Sequence, residues 1–143
     1  MTAAPVDDVD WQYRTNIRAP YRLTQALLPT LRTRRGQVVF ISSSIVFGRG
    51  EGVGQYAATK HALRSFGDSL RQEVNGDGIR VASIYPGRTA TPAQARIHAL
   101  EGKDYRPERL LEPEDIPDVV LQVLAAPPTA EITDVRVRPV LKS

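Results

Sequence analysis

The sequence contains no cysteine. This absence excludes a disulfide framework and any metal site built from thiolates, and it makes a cytoplasmic location the expectation. No run of apolar residues approaches the ~18–20 that cross a membrane. Residues 1–8 have neither the basic nor the apolar region of a secretory signal. We therefore expect a protein that neither enters a membrane nor uses the secretory route.

Aromatic residues are also few, at 6%, and the net charge of +3 is small for the 19 basic and 16 acidic residues that produce it. The basic side chains are dispersed, except for Arg32, Arg34 and Arg35. These precede Gly36 at the end of a helical pattern, where cations and glycine both favour helix termination. Because no aromatic–basic platform accompanies them, we expect no nucleic-acid partner. Neither histidine has a partner at ligand spacing, and we expect no metal.

The 143 residues correspond to one domain, and its apolar pattern alternates between helices and strands. The predicted helices cover 8–35, 54–75 and about 113–126, and the predicted strands cover 37–43, 79–85 and 132–137. Asp7 or Asp8 would cap the first helix, whose apolar stripe is interrupted at Thr24, and segment 88–111 is less regular. Strand 37–43 is apolar enough to predict burial on both faces. The order of elements predicts an α/β fold with a parallel sheet.

The four-residue spacing of Tyr56 and Lys60 indicates acid/base chemistry. Tyr56 and Lys60 share a helix face at i and i+4, so the ammonium can lie beside the phenol and lower its pKa from about 10. This gives a general acid/base suited to neutral pH. Ser43 follows a strand-like run, so its hydroxyl would lie at the carboxyl end of that strand, where open α/β sheets bind ligands.

Pro20 falls inside the first helix and has no N–H, so the carbonyl of Asn16 loses its helical partner. That carbonyl is then available to a water molecule at the active edge. Pro20 could instead simply bend a long helix around the core. From spacing alone the two interpretations are equally supported.

These residues resemble the catalytic tetrad of the short-chain dehydrogenase/reductase family. Asn16, Ser43, Tyr56 and Lys60 stand at its Asn, Ser, Tyr and Lys positions. The resemblance extends from about residue 8 to 139 and includes further motifs: Asn16-Ile17-Arg18-Ala19-Pro20, Gln25-Ala26-Leu27-Leu28-Pro29, Ile41-Ser42-Ser43, Tyr56-Ala57-Ala58-Thr59-Lys60 and Tyr85-Pro86-Gly87.

The resemblance implies hydride transfer between NADP (or NAD) and a small alcohol or carbonyl substrate. Tyr56 would exchange the proton, Lys60 would lower its pKa and hold the nicotinamide ribose, and Ser43 (with Ser42 as the alternative) would bind the substrate oxygen. Asn16 would hold a water that relays protons to Lys60. The cofactor-binding residues implied are Tyr56, Lys60, Pro86, Gly87, Thr89 and Thr91. Arg88 would meet a substrate or cofactor phosphate, or be a solvated loop residue.

The family begins with a strand and a glycine-rich turn that cradles the pyrophosphate, and no such half is found here. The glycines of loop 48–54 follow one family spacing, but that loop lies between Ser43 and Tyr56, on the substrate side. We therefore expect residues 1–143 to form one partial Rossmann-type domain, the C-terminal catalytic half of a doubly wound parallel sheet. It has about three strands and three main helices.

Three origins fit such a half: a gene fragment, a mis-assigned start or a genuine half-protein. The alternative to an enzyme is a non-catalytic remnant that acts as an interaction or oligomerisation module. In either case helices 8–35 and 54–75 would build a homo-oligomer, since the family commonly uses them at subunit interfaces.

Overall fold

A computed structural model describes residues 5–48 and 50–141. Its three strands form one parallel sheet, in which they lie side by side in chain order. The helices and strands are α1 (Val6–Tyr13), α2 (Ala19–Arg34), β1 (Gln37–Ile41), α3 (Gly54–Val74), β2 (Arg80–Pro86), α4 (Pro92–Glu101), α5 (Asp115–Leu124) and β3 (Asp134–Val137). Within the described ranges, no helix combines the length and apolar character needed to cross a membrane.

The central strand β2 separates two apolar cores, and residues 81–85 on it are buried. Side chains alternate across a strand, so Val81 packs with Leu63, Leu70 and the rest of the α3 side. Ile84 instead faces α5 and packs with Val123. Helices therefore cover both faces of a parallel sheet, which confirms the predicted α/β class.

Strand β1 differs from the prediction in length and in burial. It ends at Ile41, and of its five residues only Phe40 is buried, while Ile41 is 44% exposed. In the described part of the chain, β1 pairs with β2 and no strand pairs with its other edge. Burial on both faces needs neighbours that this edge strand does not have here, so the apolar run 37–41 is left half-covered.

The first helix is also not the single element that was predicted. It begins at Val6 after Pro5, with no side-chain cap, so Asp7 and Asp8 lie in the first turn and do not cap it. A π-helical turn over Arg14–Arg18 then separates α1 from α2, with the Ala19 N–H donating to the carbonyl of Arg14. Such turns insert one extra residue into a helix.

At the end of α2, Gly36 does not have the left-handed conformation that was predicted for it. Arg35, with φ 48°, takes the left-handed position that was assigned to glycine. Gly36 donates its N–H to the Leu31 carbonyl at 2.9 Å. A Cβ on Gly36 would lie 2.6 Å from Leu31 Cδ2, so a larger residue there would require the Leu31 side chain to move.

Segment 88–111 contains a helix that the prediction missed. Helix α4 begins at Pro92 after Thr91, whose hydroxyl accepts a hydrogen bond from the Gln94 N–H at 3.2 Å. It ends at Glu101, and Gly102, which follows it, has φ 66°. A threonine cap, proline in the first turn and a terminal glycine are ordinary helix boundaries, although the residues between them carry no clear apolar stripe.

Candidate active site

Helix α3 holds Tyr56 and Lys60 beside each other. The Lys60 Nζ lies 5.7 Å from the centroid of the Tyr56 ring and donates to the Ile41 carbonyl at 3.4 Å. Burial lowers the pKa of Lys60, because desolvation disfavours the ammonium. The Lys60 ammonium therefore lies between the end of β1 and the Tyr56 ring.

Asn16 lies in the middle of the π-helical turn, four residues before Pro20. Its side-chain Nδ2 donates to the Thr59 hydroxyl at 3.0 Å, and that hydroxyl donates to the Tyr56 carbonyl at 2.9 Å. The Asn16 amide therefore fastens the π turn to the helical turn that carries Tyr56 and Lys60. The chain therefore forms a defined π turn at this point. Pro20 has no N–H and cannot donate to the Asn16 carbonyl.

Thr59 connects Asn16 to the turn that carries Tyr56 and Lys60, and the sequence analysis did not identify it. It is 7% exposed and stands directly before Lys60. A small hydroxyl residue on a buried helix face usually bonds back to its own helix. The motif from Tyr56 to Lys60 contains such a residue, but nothing in the motif indicates that its hydroxyl also accepts a hydrogen bond from Asn16.

The two serines after β1 have different surroundings. Ser42 is buried, and its Oγ lies 3.5 Å from the Lys60 carbonyl, to which it donates. Ser43 is half-buried, and its Oγ accepts from the Ile45 N–H at 3.3 Å at the start of the 3₁₀ turn Ser44–Phe47. As an acceptor in that bond, the Ser43 hydroxyl keeps its proton for another partner.

The loop after β2 lies at the same carboxyl edge of the sheet. The Gly87 N–H donates to the Val137 carbonyl at 2.8 Å, which fixes the loop against β3. The Thr89 hydroxyl donates to the Gly87 carbonyl at 3.2 Å, and Thr91 caps α4. Both hydroxyls keep a lone pair or a proton for a ligand.

An open groove of about 420 Å³ runs along the free edge of β1. Its walls are β1 and the side chains of α2, among them Leu23 and Leu27, and it reaches Asn16 and Lys60. Loop 48–54, which leads into α3, includes Arg49, which lies outside the described residues. The groove joins the free strand edge to two residues of the predicted tetrad.

The sequence profile of the short chain dehydrogenase family matches residues 1–102. The chain belongs to that family. An uncharacterised oxidoreductase of Staphylococcus aureus is 32% identical over 141 residues, covering 98% of this chain and 58% of that protein. Serine dehydrogenase from Escherichia coli, 27% identical, aligns with a TM-score of 0.82 over 99% of this chain and 58% of its own.

A closed form of serine dehydrogenase complexed with NADP⁺ is 26% identical, with a TM-score of 0.86. The alignment covers 99% of this chain and 60% of that one. The chain thus spans little more than half the length of the family members it matches. Its three-stranded sheet is part of the Rossmann-type sheet of this family, as expected.

Proposed function

We propose that this chain carries the catalytic half of an NAD(P)-dependent oxidoreductase that interconverts a small alcohol and its carbonyl compound. The observation that supports this most directly is the pairing of Tyr56 with Lys60 on α3. The Asn16 side chain fastens the same turn at the carboxyl edge of the sheet. General acid/base chemistry needs a proton donor and acceptor held at a defined place beside the substrate.

In this function the Tyr56 phenol gives its proton to the carbonyl oxygen, or takes the proton of the alcohol in the reverse direction. The Lys60 ammonium lies beside the Tyr56 ring and supplies a positive charge next to the reacting oxygen. The Ser43 hydroxyl donates a hydrogen bond to the substrate oxygen. The Asn16 carbonyl holds a water that relays protons to Lys60. A bound nicotinamide supplies or accepts the hydride.

The residues present suit a nicotinamide cofactor. Lys60 is oriented along the end of β1 and would hold the ribose, while Tyr56 would lie against the same group. β2 ends at Pro86 and Gly87 follows it, and the hydroxyls of Thr89 and Thr91 have hydrogen-bonding capacity left for a carboxamide. We favour NADP over NAD because the aligned serine dehydrogenase is complexed with NADP⁺.

Replacing Tyr56 by phenylalanine tests the proposal. The chain is fused behind the N-terminal segment of the S. aureus relative, and turnover of small alcohols is measured with NADP⁺. Tyr56→Phe should abolish turnover and leave cofactor binding largely intact, because the ring remains, whereas Lys60→Ala should damage both. Tyr13→Phe, at an exposed tyrosine of α1, is the matched control. If Tyr56→Phe kept more than about a tenth of the activity, a barrier change under ~1.4 kcal/mol, Tyr56 would not be the acid/base.

A second candidate function is an interaction module, and the free edge of β1 favours it. Unpaired strand edges recruit other chains, and here the edge adjoins a groove lined by exposed leucines. In this role a second copy would associate through helices 8–35 and 54–75 and would cover the groove.

A further inference from the structure

A second cavity, of about 290 Å³, lies beneath α4, and none of the tetrad residues lines it. Most of its lining side chains are basic, and the lining consists of Arg88, His98, Lys103, Asp104, Arg106, Arg109 and Leu110. The volume is at the lower limit of pockets for drug-sized ligands, so it suits a small molecule or one group of a larger one.

The cavity has a surplus of positive charge. Three of its basic side chains, Arg88, Lys103 and Arg106, meet two carboxylates, Asp104 in the wall and Glu101 behind it. The Lys103 Nζ forms a salt bridge with Glu101 Oε2 at 2.8 Å. Arg106 reaches Asp104 only at 3.4 Å, and Asp104 is 85% exposed. An exposed pair of this length is weak, so an incoming anion can replace the aspartate at little cost.

Arg88 is held in place before any ligand arrives. Its Nη2 donates to both carboxylate oxygens of Glu101 at 2.9 Å, and its Nη1 lies 3.3 Å from His98 Nε2. His98 is itself 4% exposed, and its Nδ1 donates to the Gln94 carbonyl at 2.8 Å. Hydrogen bonds from Lys103 and Arg88 hold the pKa of Glu101 below its usual range, so the carboxylate stays charged.

Arg88 therefore differs from a solvated surface cation, whereas Lys103 and Arg106 are more than half exposed. A pre-positioned guanidinium loses little conformational freedom on binding, and charge-assisted hydrogen bonds to oxyanions are strong. Buried His98 and apolar Leu110 form walls of the cavity. Among ligand classes, a carboxylate or phosphate group matches this chemistry best.

The cavity is tied to the carboxyl end of β2. The Leu111 N–H donates to the Arg88 carbonyl at 3.0 Å, and the Ala90 N–H donates to the Leu111 carbonyl at 2.7 Å. We infer that this cavity binds an oxyanion, and that the oxyanion is a carboxylate or phosphate group of the alcohol or carbonyl substrate. The assignment of the oxyanion to the substrate rests on the proposed function, whereas the binding of an oxyanion does not.

Binding of inorganic phosphate and of malonate to the 143-residue chain tests the site without cofactor or turnover. Each anion is titrated at constant ionic strength against chloride, and backbone amide shifts are followed by NMR. Both anions should bind saturably, with millimolar affinity, and should shift residues 103–106. Lys103→Gln combined with Arg106→Gln should weaken binding at least tenfold. Arg96→Gln, on the exposed side of α4, should leave it unchanged.

Absence of saturable binding, or equal weakening by Arg96→Gln, would overturn the oxyanion site whatever the chain catalyses. Thermal melts verify that each variant is folded. Kinetic measurements on the fused protein distinguish a site for a free anion from a site for an anionic group of the substrate. There the Lys103→Gln and Arg106→Gln pair should lower kcat/KM at least tenfold for hydroxy acids and leave it unchanged for uncharged alcohols. Equal effects on both substrate classes would refute the substrate assignment.

Discussion

Replacing Thr59 by valine tests the connection between the π turn and the Tyr56–Lys60 turn. Valine has nearly the same shape and β-branching as threonine, so packing and helix propensity change little. The substitution removes the hydroxyl that accepts from Asn16 and donates to the Tyr56 carbonyl. Its effect therefore reports on hydrogen bonding.

The expected cost follows from those two bonds. A net contribution of about 0.5–1.5 kcal/mol is typical of each hydrogen bond, and a polar group left without a partner adds to the loss. Because Thr59 is buried and Asn16 half-buried, water compensates only in part. We expect Thr59→Val to lower the free energy of unfolding by about 1–2 kcal/mol, and Asn16→Ala to lower it by a similar amount.

A double-mutant cycle measured by urea unfolding distinguishes this connection from unrelated damage. Asn16→Ala combined with Thr59→Val should show a coupling of about 0.5–1.5 kcal/mol. Thr59→Ser keeps the hydroxyl and should restore most of the stability. Thr33→Val is the matched control, since that exposed hydroxyl bonds only the Pro29 carbonyl in the same helix. Additivity within about 0.3 kcal/mol would refute the reasoning.

Two further predictions concern stability and assembly. Burial, and then the 2.6 Å hydrogen bond to Asp134, raise the pKa of Tyr85 to about 12. Its stabilisation is complete below about pH 10, the unfolded value, and about 2 kcal/mol is lost as the pH rises towards 12. Tyr85→Phe should flatten that loss in urea melts, and an unchanged slope would contradict the assignment. In sedimentation at micromolar concentration we expect dimers or larger species. Leu27→Glu in the groove should dissociate them, whereas Leu100→Glu at an exposed site should not; a monomeric parent chain would exclude the module.

The order of elements could be predicted because local patterns fix it. Leu63, Leu70 and Val74 recur at helical spacing and are buried as a stripe, and Pro113 and the pair 127–128 bracket α5. Thr24 shows the limit of such patterns. It was the one gap in the apolar stripe of α2, and it is 6% exposed, whereas Leu27 is 45% exposed. The face of a helix that becomes buried depends on the neighbouring strands, which a single helix does not encode.

The candidate site could be predicted only in part, for a related reason. A four-residue spacing places Tyr56 beside Lys60 on any helix, so their proximity follows from the sequence. The π turn at Asn16 requires an extra residue between Arg14 and Ala19, and the contact that fastens it, to Thr59, lies 43 residues away. Local rules can locate the proline that interrupts the helix, but they cannot locate that partner.

The two candidate functions meet at the end of β1. Lys60 donates to the carbonyl of Ile41, and Ile41 is the exposed last residue of the free strand. A strand added to that edge would cover Ile41 and the groove, and would take more water from the Lys60 ammonium. Desolvation already lowers the pKa of Lys60, and further desolvation acts in the same direction while strengthening the field at the Tyr56 phenol. In the proposed function, completing the sheet therefore also changes the surroundings of Lys60, and we expect turnover of the fused protein to depend on the same strand edge that a second copy would cover.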